Sequence, residues 1–282
     1  NLAPADLRKV GPGLDLALAA ALLAAAGELP AGPLAGWALA GELALDGSVR
    51  PVRGALSMAE AARECACRGI VLPAANGPEA ALAPGIEVRT INSIAELRLF
   101  LDGRTPGQRP EPEGLASGSS LPDLKDLRGQ ANLRRAIEVA AAGGHALLMV
   151  GPPGSGKSLA ARRFPSVMPP MSSDEVLEVA RIAGVCGTGP LRAERPFRAP
   201  HHTVSAAGLV GGGSPPRPGE ITLAHRGVLF LDELCEFRRA ALEALREPLE
   251  SGEVTISRAN GRRTLPAGFT LVAAANPCPC GR

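Results

Sequence analysis

Residues Gly151-Pro152-Pro153-Gly154-Ser155-Gly156-Lys157-Ser158 fill every fixed place of the pattern G-x-x-x-x-G-K-[ST]. That pattern works only in one local setting, with a buried strand leading in and a helix leading out. The apolar run from His145 to Val150 reads as the strand, and Leu159 to Arg163 reads as the helix. A strand, a glycine loop and a helix start gather several backbone N–H groups around one point at a positive helix end. The expectation is a site for the phosphates of a nucleoside triphosphate, on a parallel α/β sheet. Residues 151–156 would supply amides, Lys157 would reach the β- and γ-phosphates, and the Ser158 hydroxyl would ligate Mg²⁺.

A second segment narrows the chemistry. Gly227-Val-Leu-Phe-Leu-Asp232-Glu233 is an apolar strand that ends in two acids, the Walker B pattern. A phosphate loop alone also suits a kinase, whereas this ending suits hydrolysis by water. Asp232 would hold the Mg²⁺ shell, and Glu233 would orient and deprotonate the attacking water. A plain buried strand running into a solvated acidic turn is the simpler alternative. The next strand, Phe269 to Asn276, ends in an amide that could sense the γ-phosphate. Asn before Pro277 is equally a common start of a turn.

From Ser158 to Asp232 the chain advances 74 positions, where a strand–helix–strand unit needs on the order of 30. Something is therefore inserted. Residues 195–219 read as an exposed polar loop region. His201 and His202 are neighbours and would point different ways, a poor arrangement for shared metal ligation. Residues 253–265 read as a β-hairpin, with Asn260-Gly261 as the turn signal. Arg258, Arg262 and Arg263 crowd its tip. They suit either a basic finger on a phosphate backbone or an edge strand blunted by charge.

Of 282 residues 45% are hydrophobic, enough for a sizeable core, and the length suggests two domains. No apolar run approaches the roughly 18 residues of a membrane span, and no signal peptide is visible. The net charge of +2 is too mild to argue for nucleic acid by itself. Six scattered cysteines do not suggest a secreted disulfide framework. Cys65 and Cys67 read as packing residues. Cys278 and Cys280 form a C-x-C pair, a slender basis for a zinc site without a second pair.

Residues 1–102 alternate helical and strand patterns. Leu14–Ala26, Leu56–Arg68 and Ser93–Leu101 read as helices, with Ser93 as a cap. Trp37–Leu45 reads as a candidate strand pair, and Ile70–Leu72 and Val88–Ile91 as strands. Residues 103–122 are rich in Gly, Pro, Ser and Glu and read as a linker. A second α/β unit starts at Asp123, opening with a helix over Leu133–Ala142.

Four phrases carry a family resemblance: Ala141 to Lys157, Phe197-Arg-Ala-Pro-His-His-Thr203, Gly219 to Glu233, and Asn276-Pro-Cys-Pro-Cys-Gly281. Together they resemble the magnesium-chelatase-like AAA+ ATPases of the bacterial YifB/ComM type. The resemblance covers the whole chain. It implies an α/β P-loop AAA+ core with a parallel sheet over residues 123–282. It also implies a partial α+β Lon-protease-like domain, similar to ribosomal-protein folds, over residues 1–102. Gly41 to Gly54 resembles the strand-turn-strand of Lon, and Gly69 to Pro73 its next strand.

Lon cleaves peptides with a serine–lysine dyad. Gly13 falls at the place of the serine and Leu56 at that of the lysine, so the resemblance implies a first domain without proteolytic activity. It implies further that residues near 195–220 are the helix insert and residues 253–265 the pre-sensor hairpin. In hexameric rings of the family these approach the central pore. The implied function is an ATP- and Mg²⁺-dependent, cytoplasmic DNA motor of the helicase or branch-migration kind, with single-stranded or branched DNA as partner. Asn276 takes the part of the γ-phosphate sensor. Chain termini inside the first domain and before the arginine finger and lid imply that these 282 residues alone bind ATP poorly and turn it over slowly. Two rivals remain at this point: a motor that remodels a protein partner, as in metal chelatases, and a non-enzymatic scaffold.

Overall fold

Parallel strand pairing organises each of the two units into which the chain divides. A computed structural model describes residues 11–112, 121–187, 193–213, 217–258 and 261–277. One unit is Asn1–Gly114 with Ala183–Leu191, and the other is Leu115–Ile182 with Arg192–Arg282.

In the first unit β1 (Trp37–Leu39), β4 (Gly69–Pro73) and β5 (Glu87–Ile91) form a parallel sheet in the order β1-β4-β5. β2 (Glu42–Leu43) and β3 (Val49–Arg50) pair antiparallel as a separate small hairpin. The single strand pair expected over Trp37–Leu45 is thus split between two sheets. Gly41 marks the break, where a Cβ would come within 2.6 Å of the Val49 side chain. Between β2 and β3 the Asp46 carboxylate accepts from the Ser48 backbone N–H at 2.9 Å and closes the turn. Helices Asp15–Ala25, Ala55–Glu64 and Ile94–Leu101 cover the sheet and hairpin. Ser93 caps the last of these by accepting from the Glu96 N–H at 3.2 Å. Leu16, Val71, Ile91, Leu97 and Leu101 form a common core. Gln108 exchanges backbone hydrogen bonds with Thr90 of β5, so part of the Pro- and Gly-rich stretch is tied to this sheet.

In the second unit β6 (Leu147–Val150), β7 (Phe197–Arg198), β10 (Val228–Leu231) and β13 (Thr270–Ala275) form one parallel sheet. Its order is β6-β13-β10-β7. Both faces are covered, and the strands alternate accordingly. Val228, Phe230, Val272 and Ala274 pack with Ile137, Ala160 and Phe164 on one side. Leu229, Leu231 and Ala273 pack with Leu209, Ile221 and Leu245 on the other. Each fully buried large side chain contributes about 1.5–3 kcal/mol. Two short strands, β8 (Gly211–Gly212) and β9 (Arg217–Pro218), pair antiparallel. So do β11 (Glu253–Arg258) and β12 (Gly261–Pro266), the hairpin expected from its turn signal.

The stretch 195–219 is not simply an exposed loop. Phe197 and Arg198 are the β7 edge of the sheet, and Leu209 of the helix Ala206–Val210 is fully buried. Its polar composition concealed this, because two paired residues and one helical turn are too short to show a period. Among the described residues no helix is long and apolar enough to cross a membrane.

Candidate nucleotide-binding site

The parallel register decides which chain ends meet. Val150 is opposite Ala275, Ala273 is opposite Leu231, and Leu229 is opposite Arg198. The carboxyl ends of β6, β13, β10 and β7 therefore line one edge of the sheet, where open α/β sheets present their ligand crevice.

Beyond β6 the loop 151–156 turns into the helix Lys157–Ala161. Gly154 and Gly156 hold φ of +77° and +85°, a region that strains any residue with a Cβ. A Cβ on Gly154 would meet nothing within 4 Å, so glycine is required here by its backbone conformation and not by crowding. The loop is held from three sides. The Gly151 N–H donates to the Ala275 carbonyl at 3.3 Å. The Lys157 ammonium donates to the carbonyls of Gly151 at 2.6 Å and Pro152 at 3.0 Å. The Gln130 amide donates to the Ser155 carbonyl at 2.5 Å from the start of the helix Ala131–Gly143.

Three residues far apart in the chain converge on this loop. Asn276, one residue past β13, accepts from Lys157 Nζ through Oδ1 at 3.0 Å. Ser158 Oγ donates to Asp232 Oδ2 at 2.6 Å. The other oxygen of Asp232 accepts from the Glu233 N–H at 3.0 Å. Glu233 itself has φ +53° and ψ +51°, a left-handed conformation. Gln130, at φ +50°, is the site's other non-glycine residue of this kind. Non-glycine residues in that region carry a strain of order 1–3 kcal/mol, which persists where the surroundings over-determine it.

The residues present suit a phosphate–Mg²⁺ group. Among the described residues no carboxylate is within ion-pair reach of Lys157, and every acceptor around its ammonium is neutral. Its positive charge is left for an anion. Asp232 likewise has no cationic side-chain partner among the described residues, and its carboxylate is coupled to the Ser158 hydroxyl. One carboxylate and one hydroxyl, with the remaining positions left to water and phosphate, is the kind of hard oxygen set that Mg²⁺ takes.

Other expectations are placed differently. Arg262 and Arg263 are exposed on β12, opposite Ser257 and Ile256 of β11. Consecutive strand residues face opposite ways, so these two do not form one basic patch. Arg258 is the last residue of β11 and pairs with Gly261. Cys278 and Cys280 lie outside the described residues. Among those described, no group of three or more His, Cys, Asp or Glu could hold a metal ion.

Two residues escaped the motif reading. Gln130 carries no signal beyond a glycine before a helix. By sequence His202 is only half of a poor metal pair, yet its Nδ1 is 3.3 Å from Glu233 Oε2.

At the opposite end of β10 lies a polar cluster that motif reading did not anticipate. His225 is 5% exposed. Its Nδ1 accepts from the Gly268 N–H at 3.0 Å, and its Nε2 is 3.1 Å from Glu178 on the helix Ser173–Cys186. Arg226 donates to the same carboxylate at 2.7 Å, and Arg195 donates to the Arg226 carbonyl at 2.6 Å. The hydrogen bond from Arg226 holds the Glu178 carboxyl below its ordinary range. Burial pushes the His225 imidazole below its ordinary range.

A four-stranded parallel sheet with a glycine phosphate loop at its carboxyl edge defines this unit as a P-loop core of the AAA+ class. A family model described as "Magnesium chelatase, subunit ChlI" matches residues 123–282, and one described as "Subunit ChlI of Mg-chelatase" matches residues 1–76. The chain belongs to this magnesium-chelatase-like family. It is 46% identical to a YifB protein of Salmonella typhimurium over 285 residues, 100% of this chain and 56% of the relative. It is 48% identical to a protein of Mycobacterium tuberculosis H37Rv over 284 residues, 99% of this chain and 56% of that one. Its identity to the competence protein ComM of Haemophilus influenzae is 43% over 290 residues, covering 100% of this chain and 57% of ComM. The chain spans about half the length of the curated relatives it matches.

Proposed function

We propose that this chain belongs to a cytoplasmic, Mg²⁺-dependent ATPase that assembles into a hexameric ring and moves DNA. The observation that carries the reading is the meeting of Lys157, Asn276, Ser158, Asp232 and Glu233 at one sheet edge. The amides of residues 151–156 and the Lys157 ammonium would hold the β- and γ-phosphates. Ser158 and Asp232 would hold Mg²⁺, which when bound neutralises charge that develops on the phosphates. Glu233 would accept a proton from the attacking water, which Asp232, committed to the metal, is not free to do. Asn276 would exchange its hydrogen bond from Lys157 for one with the γ-phosphate.

Likeness to a competence protein supports a role in natural transformation or recombination. The hairpin β11–β12, with Arg258, Arg262 and Arg263, is the proposed DNA-contacting element. The proposed domain division is 1–102, a linker over 103–122, and 123–282. The first domain is proposed to be proteolytically inert. Leu56 is fully buried, and a Cβ at Gly13 would lie against Val52 and Met58. Neither place offers a nucleophile or an amine base.

The family description favours one second reading, a motor that remodels a protein partner as a chelatase subunit does. ATP hydrolysis by the full-length protein, with and without single-stranded and four-way-junction DNA, separates the two. Glu233→Gln serves as the blank and should lose about 10²–10⁴-fold of turnover with ATP binding intact. Strong stimulation by DNA supports the DNA motor. A rate indifferent to every DNA overturns it in favour of the protein-remodelling reading.

A further inference from the structure

The sheet of the first unit carries a cavity of rings and arginines at the amino ends of its strands. Trp37, Gly69 and Glu87 are the first residues of β1, β4 and β5, and they lie opposite one another across the sheet. They therefore share one face. The Trp37 indole fills the place that a side chain at Gly69 would need, since a Cβ there would come within 2.5 Å of the ring. The Phe100 ring, on the helix Ile94–Leu101, meets the indole edge to face, with centroids 5.0 Å apart and planes at 86°. These two rings, with Pro33, Pro106, Arg68 and Arg89, line a cavity of about 420 Å³.

The charges of this cavity do not balance. Arg89 is half-buried and donates to Glu87 Oε1 through Nε at 2.9 Å and Nη2 at 2.6 Å. That pair occupies the one carboxylate of the lining. Arg68 is the surplus cation. Its backbone is fixed, because its N–H donates to the Gly36 carbonyl at 2.7 Å. Its side chain is 71% exposed, with Nε 3.7 Å from Glu87 Oε2 and the guanidinium carbon 5.4 Å from the centre of the Trp37 ring. An exposed pair of that length holds its partners weakly, so Arg68 is free to turn to another anion. A second cavity, of about 440 Å³, shares Glu87 and Arg89 with the first and adds Arg109. The two cavities together present three guanidinium groups to one carboxylate.

We propose that this pair of cavities binds single-stranded nucleic acid, with a base stacked on Trp37 and backbone phosphates on Arg68 and Arg109. The base takes the place over the indole that Arg68 now covers, and the displaced guanidinium turns to the phosphate beside it. Every base has a π-face, so stacking of this kind tolerates any sequence, and a surplus of arginine supplies the salt-dependent part of the affinity. A proline-rich peptide would use the rings and prolines but leave the arginines without a role. A lone nucleotide would leave Arg109, in the adjoining cavity, without a phosphate. The proposal rests on the reading of the protein as one that acts on DNA, and it adds a contact in the first unit to that of the hairpin β11–β12.

Trp37 is the single tryptophan of these 282 residues, so its own emission reports the stacking. The test titrates the full-length protein with end-labelled oligothymidylate and follows indole emission and anisotropy together. Binding should quench emission in the wild type, and that quench should be absent from Trp37→Phe. Trp37→Leu, which loses the stacking face, should raise Kd on the order of 10-fold, and Trp37→Phe, which keeps a ring, should raise it less. Arg68→Ala and Arg109→Ala alter exposed side chains and leave the core intact. Each should lower the salt slope of log Kd by about one. ATP hydrolysis without DNA should be unchanged in all four variants. An unchanged Kd and salt slope in both arginine variants, with DNA still stimulating hydrolysis, overturns the site and leaves the DNA motor standing. Quenching by a proline-rich peptide and not by oligothymidylate overturns it in favour of a peptide site. Quenching by thymidine monophosphate as tight as by the oligonucleotide overturns the strand as ligand. Absence of any DNA binding by the wild type removes the DNA reading itself, a failure distinct from the other three.

Discussion

The Lys157 ammonium and the Asn276 amide, 119 positions apart, share a hydrogen bond of 3.0 Å. The bond joins the start of the helix Lys157–Ala161, beyond the loop that follows β6, to the residue just past the end of β13, the sheet neighbour of β6. Asn276 thus holds the cation that a phosphate would claim in the proposed reading, in which nucleotide and amide would compete for it.

Replacing Asn276 separates these roles. Asn276→Ala frees Lys157 and should leave ATP binding at least as tight, while turnover falls on the order of 10- to 100-fold if the amide helps to align the γ-phosphate. Asn276→Asp sets a carboxylate on Lys157 and should weaken ATP binding itself, by at least tenfold where a close ion pair must be broken. Titration of both variants with a fluorescent ATP analogue checks the order. Equal affinities would refute it.

Ser158 bears on the metal. Ser158→Ala removes the hydroxyl that meets Asp232 at 2.6 Å and with it, in the proposed reading, one oxygen ligand for Mg²⁺. The Mg²⁺ concentration for half-maximal hydrolysis should rise several-fold, whereas ATP affinity measured in EDTA should be unchanged. Chelation should abolish turnover in both proteins.

The two hairpin arginines should behave differently. Arg263 shares a face with Ile256, which is buried, while Arg262 shares the opposite face with Thr264, which is exposed. Arg262→Ala should therefore weaken DNA binding and lower the salt slope of log Kd by about one, as loss of a phosphate contact does. Arg263→Ala should change that slope less. Titrations at several salt concentrations read both, and identical slopes would discount the hairpin face as a DNA surface.

Acid should loosen the cluster around His225. Its Nδ1 accepts from the Gly268 N–H, so a second ring proton would point at another donor. Burial accordingly holds its folded pKa below the ordinary value of 6.5. The unfolded chain then binds more protons than the folded one, and stability falls as pH drops below about 6.5. The lowered pKa of Glu178 adds a second loss that begins nearer its ordinary 4.5. Tm measured from pH 8 to pH 5 should decline, and His225→Gln should start lower at pH 8 but decline less. Parallel declines would show that other groups dominate.

Much of the site was legible because its parts are local. The phosphate loop, the two acids after an apolar run, and the Asn-Gly turn each declare themselves within about ten residues, where backbone conformation and side-chain chemistry are set by near neighbours. The β7 strand and the buried helix at Leu209 were not legible, since two strand residues and a single helical turn have no period to read. Gln130 and His202 were missed for another reason. Gln130 belongs to no pattern, and His202 belongs to a phrase that carries the family resemblance without declaring a chemistry; each touches its partner only because the fold brings together residues far apart in the chain. The cluster of Glu178, His225, Arg226 and Arg195 is likewise assembled across the fold.

By itself the sequence determined the class of fold and the chemical kinds at the site: a glycine loop with one lysine, a hydroxyl, two acids and an amide. Short-range sterics and the strand–loop–helix order are enough for that. Only the tertiary structure decided which of them touch. Parallel register places the ends of β6, β13, β10 and β7 on one edge, and that alignment brings Asn276 to Lys157, Asp232 to Ser158 and His202 to Glu233. Register is set by the packing of both sheet faces, to which residues from the whole unit contribute, and no local pattern encodes it.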